Sequence, residues 1–298
     1  MKLSLIWDMK GIKMNKIKKV VIPVAGKGTR FLPITKTISK TLLPIVDTPV
    51  IQYLLEEAVK AGIKEALIII GYSQNDVINY FNTESTYVQK LSKDYEEIKY
   101  IKKLKQQIRI SYVFQEEAKG LGDAVYHAKA FADKDDFALI LGDDFVFSNG
   151  LATYGIGSLC KFYEKNPNYY LGVQEVPYEM TYKYGIVRPE TRIDNCFKIN
   201  GIIEKPQNNP PSNMACVGRY ILKNSIFDYL EKTKIGVGGE LQLTDALALA
   251  LDKEDIYASE FGGIRYDVGS KVGYVEATIA VAMSRSDISE DINKFLKK

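Results

Sequence analysis

The chain reads as an α/β protein, a mostly parallel sheet flanked by helices and followed by a strand-rich second half. Three observations predict this. Short apolar strands alternate with helix-periodic segments in the first half, the first long helix has start and stop residues, and strands crowd together after about residue 169. The first strand is Lys19-Val20-Val21-Ile22-Pro23-Val24, which runs straight into the glycine loop Ala25-Gly26-Lys27-Gly28-Thr29-Arg30. A helix over 50–61 follows, with Ile51, Leu54, Leu55, Ala58 and Val59 at helical spacing. Thr48 is expected to cap it, Pro49 to occupy its first turn and Gly62 to end it.

The remaining elements follow the same logic. A buried strand over 66–70 leads to a helix opened by Ser73 and reaching about residue 81. Residues 87–107 are charged and helix-periodic through Val88, Leu91, Tyr95 and Ile98, which predicts a surface excursion. Beyond it come a strand over 110–114, a helix over 123–131 and a strand over 137–141. The second half predicts strands at 170–176, 184–188, 197–204 and 215–222, and helices at 225–231, 243–251 and 272–283. Residues 1–16 read as an N-terminal extension and 17–290 as one domain. Met14, just before the first strand, looks like a natural start, so residues 1–13 are expected to be dispensable.

Composition excludes several classes. With 298 residues, 46% of them hydrophobic, the chain can bury a large core, so it is not a disordered chain. Forty basic against 37 acidic residues leave a net charge of +3, too balanced for a dedicated nucleic-acid binder. The run Lys99, Lys102, Lys103 and Lys105 reads as a solvated helix face offset by Asp94, Glu96 and Glu97. Cys160, Cys196 and Cys216 form no CxxC pair and fit a reducing cytoplasm. No stretch is apolar enough for a membrane span, and the N-terminal candidate 3–7 is cut by Asp8. His127, the only histidine, rules out a His-rich zinc site and is expected on the surface of a helix near 124–131.

A glycine loop after the first strand of a parallel sheet sits where such sheets bind nucleotides. The dinucleotide fingerprint fails, because Gly26-x-Gly28 is followed by Phe31 and Pro33 rather than a third glycine opening a helix. That disfavours a nicotinamide dehydrogenase. The Walker string is absent too. What remains is a loop whose N–H groups can wrap a triphosphate, ending in Arg30, whose planar fork can hold two phosphate oxygens.

The string 25–33, with Thr35-Lys36 and Ser39-Lys40-Thr41-Leu42-Leu43-Pro44 after it, closely resembles the signature of nucleoside-diphosphate-sugar pyrophosphorylases. Further segments are similar to the bacterial UTP–glucose-1-phosphate uridylyltransferase branch. They are Gln115-x-x-Ala118-Lys119-Gly120-Leu121-Gly122, Leu141-Gly142-Asp143-Asp144, Tyr184-Gly185-Ile186-Val187 and Glu204-Lys205-Pro206. Val217-Gly218-Arg219-Tyr220, the string from Gly239 to Ala246, and Tyr266-Asp267-Val268-Gly269 complete the set, which runs in order from about Lys18 to Met283. Lys27 and Ser39 depart from the residues often found there, leucine and proline, and Asp144 doubles the carboxylate.

The resemblance implies a Rossmann-like nucleotide-diphospho-sugar transferase fold, with a nucleotide-binding half at 17–168 and a sugar-binding half at 169–290. It also implies formation of UDP-glucose and pyrophosphate from UTP and glucose 1-phosphate, Mg²⁺ as cofactor, a cytoplasmic homo-oligomer, and no nucleic-acid or membrane partner. Ala25, Gly26, Gly28, Thr29, Gln115 and Gly120 would bind the nucleotide, and Gln115 offers the donor and acceptor that a pyrimidine edge requires. Arg30 and Lys40 would bind the triphosphate and Lys205 the sugar phosphate. Gly185, Glu204, Lys205 and Val217 would surround the sugar. Asp143, or Asp144 beside it, would share the metal with Asp267. A sugar phosphate dianion needs no general base, so catalysis would rest on charge neutralisation and in-line positioning. The alternatives are a thymidylyl- or cytidylyltransferase and a non-catalytic nucleotide-sugar sensor. The presence of Arg30, Lys40, Asp143 and Lys205 argues against the sensor.

Overall fold

The computed structural model describes residues 16–71, 74–82, 86–190 and 195–297. The segment 1–13 and Ser73 lie outside them. The first-half strands are β1 Lys19–Pro23, β2 Pro44–Ile45, β3 Thr48–Pro49, β4 Glu65–Gly71, β5 Arg109–Gln115, β6 Phe137–Ile140 and β7 Asp144–Phe147. The second half adds β8 Tyr169–Glu175, β9 Gly185–Pro189, β10 Cys196–Glu204, β11 Met214–Leu222, β12 Ile256–Ser259 and β13 Ile264–Asp267. Helices α1 Val50–Lys60, α2 Asn75–Asn82, α3 Thr86–Asp94, α4 Glu96–Gln107, α5 Leu121–Tyr126, α6 Lys129–Ala132 and α7 Ile156–Lys165 precede β8. Helices α8 Ile226–Leu230, α9 Leu243–Ala250, α10 Lys271–Ser284 and α11 Ser289–Leu296 complete the chain.

Nine strands form one sheet in the order β5-β4-β1-β6-β11-β8-β12-β10-β9, drawing on both halves of the sequence. The first four are parallel, as the alternation of strands and helices predicts. Strand β11 runs antiparallel to both β6 and β8, so the second half is mixed. Parallel strands covered on both faces read as continuous apolar runs. In β1, Val20 and Ile22 enter one core with Leu54, Leu55, Ile68 and Ile140, while Val21 enters another with Ile69, Val125 and Leu139.

This order also sets the site. From β1 the chain passes to β4 on one side and later returns to pair β1 with β6 on the other. The C-terminal ends of β1 and β6 therefore flank a switch point, where open α/β sheets bind ligands. Gly142 lets these two ends meet, because a Cβ there would fall 2.9 Å from both the Pro23 carbonyl and Val24 Cγ1.

Some elements differ from the sequence expectations. Thr48 does not cap α1, since its hydroxyl turns to Asp47 Oδ1 at 3.0 Å and Thr48–Pro49 pairs with Pro44–Ile45. The helix expected over 123–131 breaks into α5 and α6. His127 sits at that break, where its backbone N–H donates to the Asp123 carbonyl at 3.2 Å and its Nδ1 lies 2.8 Å from the same oxygen. Helices α7 and α11, the two-residue strands β2 and β3, and strands β7, β12 and β13 are additional. The last three span four residues each, too few to display a period, and β7 pairs with a segment far away in sequence.

Candidate active site

Two cavities adjoin at the switch point. The smaller, ≈ 240 Å³, is lined by Ala25, Gly26, Gln115, Ala118, Gly120 and Gly142. The larger, ≈ 740 Å³, is lined by Arg30, Tyr184, Gly185, Glu204, Lys205, Thr244 and Asp267. Asp143, Leu121, Leu141 and Glu240 line both. One cleft thus joins the glycine loop to the sugar-side residues, with a carboxylate at the joint.

The glycine loop is held from behind by Gln74, a residue that carries no recognisable signal in the sequence. Its amide donates to the Val24 carbonyl at 2.9 Å and the Gly26 carbonyl at 3.3 Å, and accepts from Gly71 N at 2.7 Å. Gly28 and Thr29 do not line the cavities. Thr29 starts the short helical turn Thr29–Phe31, which carries the exposed Arg30 toward the larger cavity. Lys40 opens another short turn, Lys40–Leu42, latched by its neighbour Ser39. Ser39 N and Oγ donate to Asp76 Oδ2 at 2.6 Å and Oδ1 at 2.5 Å, and a proline at this position could donate neither.

Lys40 Nζ lies 2.9 Å from Asp143 Oδ2. Desolvation in the cleft raises the Asp143 carboxyl, but its side chain remains 40% exposed and the Lys40 ammonium outweighs that effect, so its pKa is lowered. Asp144 differs. It is buried, and desolvation raises its pKa against the pull of Arg265, which bonds its carboxylate. The Asp144 carbonyl accepts from Arg219, itself fully buried and paired with Glu57. Asp143 lies in the turn before β7 while Asp144 opens the strand, and that difference sets a part-exposed carboxylate beside a buried one.

Asp267 ends β13 directly across from Asp144 in the β7–β13 ladder. A Cβ on Gly269 would fall 2.9 Å from Asp143 Oδ2 and 3.0 Å from Asp267 Oδ1, so both carboxylates crowd the same point. Among the described residues no cluster of three or more acidic, histidine or cysteine side chains encloses a metal. Two carboxylates facing the larger cavity nonetheless match Mg²⁺, which is bound by one or two carboxylates together with substrate phosphates.

On the sugar side, β10 ends at Glu204, and Lys205 takes a left-handed backbone conformation with φ 45°. That turn, one residue earlier than Pro206, brings both side chains to one cavity, with Lys205 Nζ 3.0 Å from Glu204 Oε1. Thr244 donates to Glu204 Oε2 at 2.7 Å. The missing Cβ of Gly185 makes room for that pair, since a Cβ there would lie 2.9 Å from Thr244 Oγ1 and 3.3 Å from Glu204 Oε2. Val217 is a correction. Its side chain is 1% exposed and packs with Val176, Ile186 and Ala215, while Cys216 and Tyr220 line the cleft instead. Successive residues of β11 alternate faces, so Cys216 and Tyr220 share one face and Val217 joins Ala215 on the other. At the other end, Gly120 has φ 107° and closes against the 240–242 segment, where a Cβ would meet the Leu241 carbonyl at 2.5 Å. Arg265 and Thr244 are further cavity residues without a predicted role. Only their place inside polar strings could have signalled them.

A switch-point cleft carrying a glycine loop, converging cations and a carboxylate pair defines a nucleotide-binding transferase. The chain belongs to the nucleotidyl transferase family, which matches residues 19–284. It is 42% identical over 291 residues to a UTP–glucose-1-phosphate uridylyltransferase of Staphylococcus epidermidis, covering 96% of this chain and 99% of that protein. The fold is that of a UDP-glucose pyrophosphorylase solved with UDP-glucose, with a TM-score of 0.83 and 40% identity over 90% of this chain and 100% of the other. A UTP-bound pyrophosphorylase from Acinetobacter baumannii gives a TM-score of 0.84 at 32% identity, covering 95% and 99% of the two chains.

Proposed function

We infer that this chain transfers a uridylyl group from UTP to glucose 1-phosphate, giving UDP-glucose and pyrophosphate. The observation that carries this reading is the pair of cavities joined at Asp143, one walled by the glycine loop and Gln115, the other by Glu204 and Lys205. Relatives bearing that activity in their names align with nearly the whole chain. In this reading the base occupies the smaller cavity, the sugar the larger, and the reacting phosphates meet between them.

The chain's own residues account for the chemistry. Ala25 and Gly26 meet the triphosphate with backbone N–H groups, Gly28 and Thr29 extend that grip from the part of the loop outside the cavities, and Arg30 and Lys40 neutralise it. Lys205 holds the sugar phosphate so that its oxygen attacks the α-phosphorus in line with the leaving pyrophosphate. Glu204, steadied by Thr244, accepts hydrogen bonds from sugar hydroxyls beside Gly185. Val217 contributes to the wall from behind. Asp143 and Asp267 would hold Mg²⁺, which when bound supplies charge neutralisation on the phosphate oxygens. Lys40, now on Asp143, is close enough to exchange that carboxylate for a phosphate. Residues 17–290 act as one domain, a homo-oligomer in the cytoplasm. The unpaired cysteines support that compartment, and among the described residues no helix is long and apolar enough to cross a membrane.

The test is pyrophosphate release with each nucleoside triphosphate against glucose 1-phosphate and galactose 1-phosphate. UTP with glucose 1-phosphate should be the best pair. Comparable kcat/KM for ATP and UTP would refute the reading.

A further inference from the structure

Gln115, the last residue of β5, is 4% exposed and borders the smaller cavity. Its Nε2 donates to Asp123 Oδ2 at 2.6 Å. Asp123 lies in the first turn of α5, and its side chain is 21% exposed. An ionised carboxylate can only accept hydrogen bonds, so the amide nitrogen must face Asp123 and the amide oxygen must face away. Gln115 then meets the cavity in one orientation, with Oε1 as acceptor and the second N–H as donor beside it.

The orientation matters because the two pyrimidines present opposite patterns. Uracil offers N–H at position 3 and a carbonyl at position 4. Cytosine offers a lone pair at position 3 and an amino group at position 4. In a single base pose, one amide orientation satisfies uracil and only the flipped amide satisfies cytosine.

We propose that Asp123 is a positioning residue for base selection, locking the Gln115 amide in the orientation that reads uracil and rejects cytosine. This rests on the uridylyl reading above. The lock needs an acceptor-only partner. An asparagine or serine at 123 could donate to Oε1 as readily as accept from Nε2, which would leave both orientations of Gln115 satisfied. His127 is the titratable group seen beside Asp123, its Nδ1 3.9 Å from Oδ2, and it packs against the carboxylate without replacing it as Gln115's partner.

The experiment compares kcat/KM for UTP and CTP with glucose 1-phosphate in wild type, Asp123→Asn, Asp123→Ser and Asp123→Glu, each checked for a native melting transition. The UTP/CTP ratio should fall about tenfold or more in Asp123→Asn and Asp123→Ser, the scale of one misread polar contact. It should fall through a raised KM for UTP and improved use of CTP. Asp123→Glu, still acceptor-only, should keep most of the ratio. A high wild-type ratio that persists in both Asp123→Asn and Asp123→Ser, or a loss of both substrates in equal proportion, overturns the lock. A wild-type ratio near one overturns the uridylyl reading, and the lock with it.

Discussion

The substitution Arg219→Met probes how the floor of the site is held. Arg219 is fully buried and Glu57 is 2% exposed. Arg219 Nε donates to Glu57 Oε1 at 3.0 Å, Nη2 to Glu57 Oε2 at 2.5 Å, and Nη1 to the Asp144 carbonyl. Removing the guanidinium strands Glu57 in the interior, where the Ile156 N–H, 2.7 Å from Oε1, is its one remaining partner among the described residues. Breaking one side of a buried pair costs about 3–5 kcal/mol. At about 2–4 °C per kcal/mol, the scale for domains approaching this size, melting should fall by roughly 6–20 °C. The double variant Arg219→Met, Glu57→Leu removes both charges and should regain most of that loss, because replacing a buried pair by apolar groups is often neutral. It still lacks the donor on the Asp144 carbonyl, one residue from Asp143, so its turnover should stay depressed after stability has returned. Urea and thermal melts of the single and double variants, with pyrophosphate release measured well below each transition, supply the readouts. A single variant within about 1 kcal/mol of wild type would refute the reasoning, as would a double variant no more stable than the single.

Three further outcomes follow from the site. Asp143→Ala and Asp267→Ala should each cut turnover about a hundredfold or more, and the double variant should be little worse than the worse single, because both act at one point. Activity lost in Asp144→Ala with a fully native melt, but kept in Asp143→Ala, would move the role by one residue. Glu204→Gln should chiefly raise the KM for glucose 1-phosphate, whereas Lys205→Ala should lower kcat as well, and equal small effects would count against the roles assigned to them. Burial pushes the thiols of Cys160 up to about 12 and Cys196 up to about 11, and raises Cys216 further. Native protein at pH 8 should therefore react only slowly with a thiol-alkylating reagent, and rapid labelling of Cys160 or Cys216 would contradict the burial.

Much of the molecule is legible in the chain because it is local. An apolar run breaking into Gly26-x-Gly28, a lysine one residue after Ser39, and a strand ending in Gly142-Asp143 each declare themselves within a few positions. The parallel half was readable for the same reason, since strand and helix periods need only short windows. What the linear order could not settle depends on pairings between distant segments and on which way a side chain turns. Asp143 and Asp144 are neighbours of one type that both border the larger cavity, and only the β7–β13 ladder, with Arg265 on one of them, buries Asp144 and leaves Asp143 the more exposed. Val217 belongs to the right string, but it lies on the face of β11 that packs against Val176 and Ile186, opposite Cys216 and Tyr220. Asp123 follows Gln115 closely in sequence, yet its contact with the amide exists only because α5 folds back over the end of β5. Residue types and spacings thus determine which chemistry the chain carries. Strand register and long-range packing decide which of two like groups faces the substrate, because burial and direction are properties of the assembled sheet.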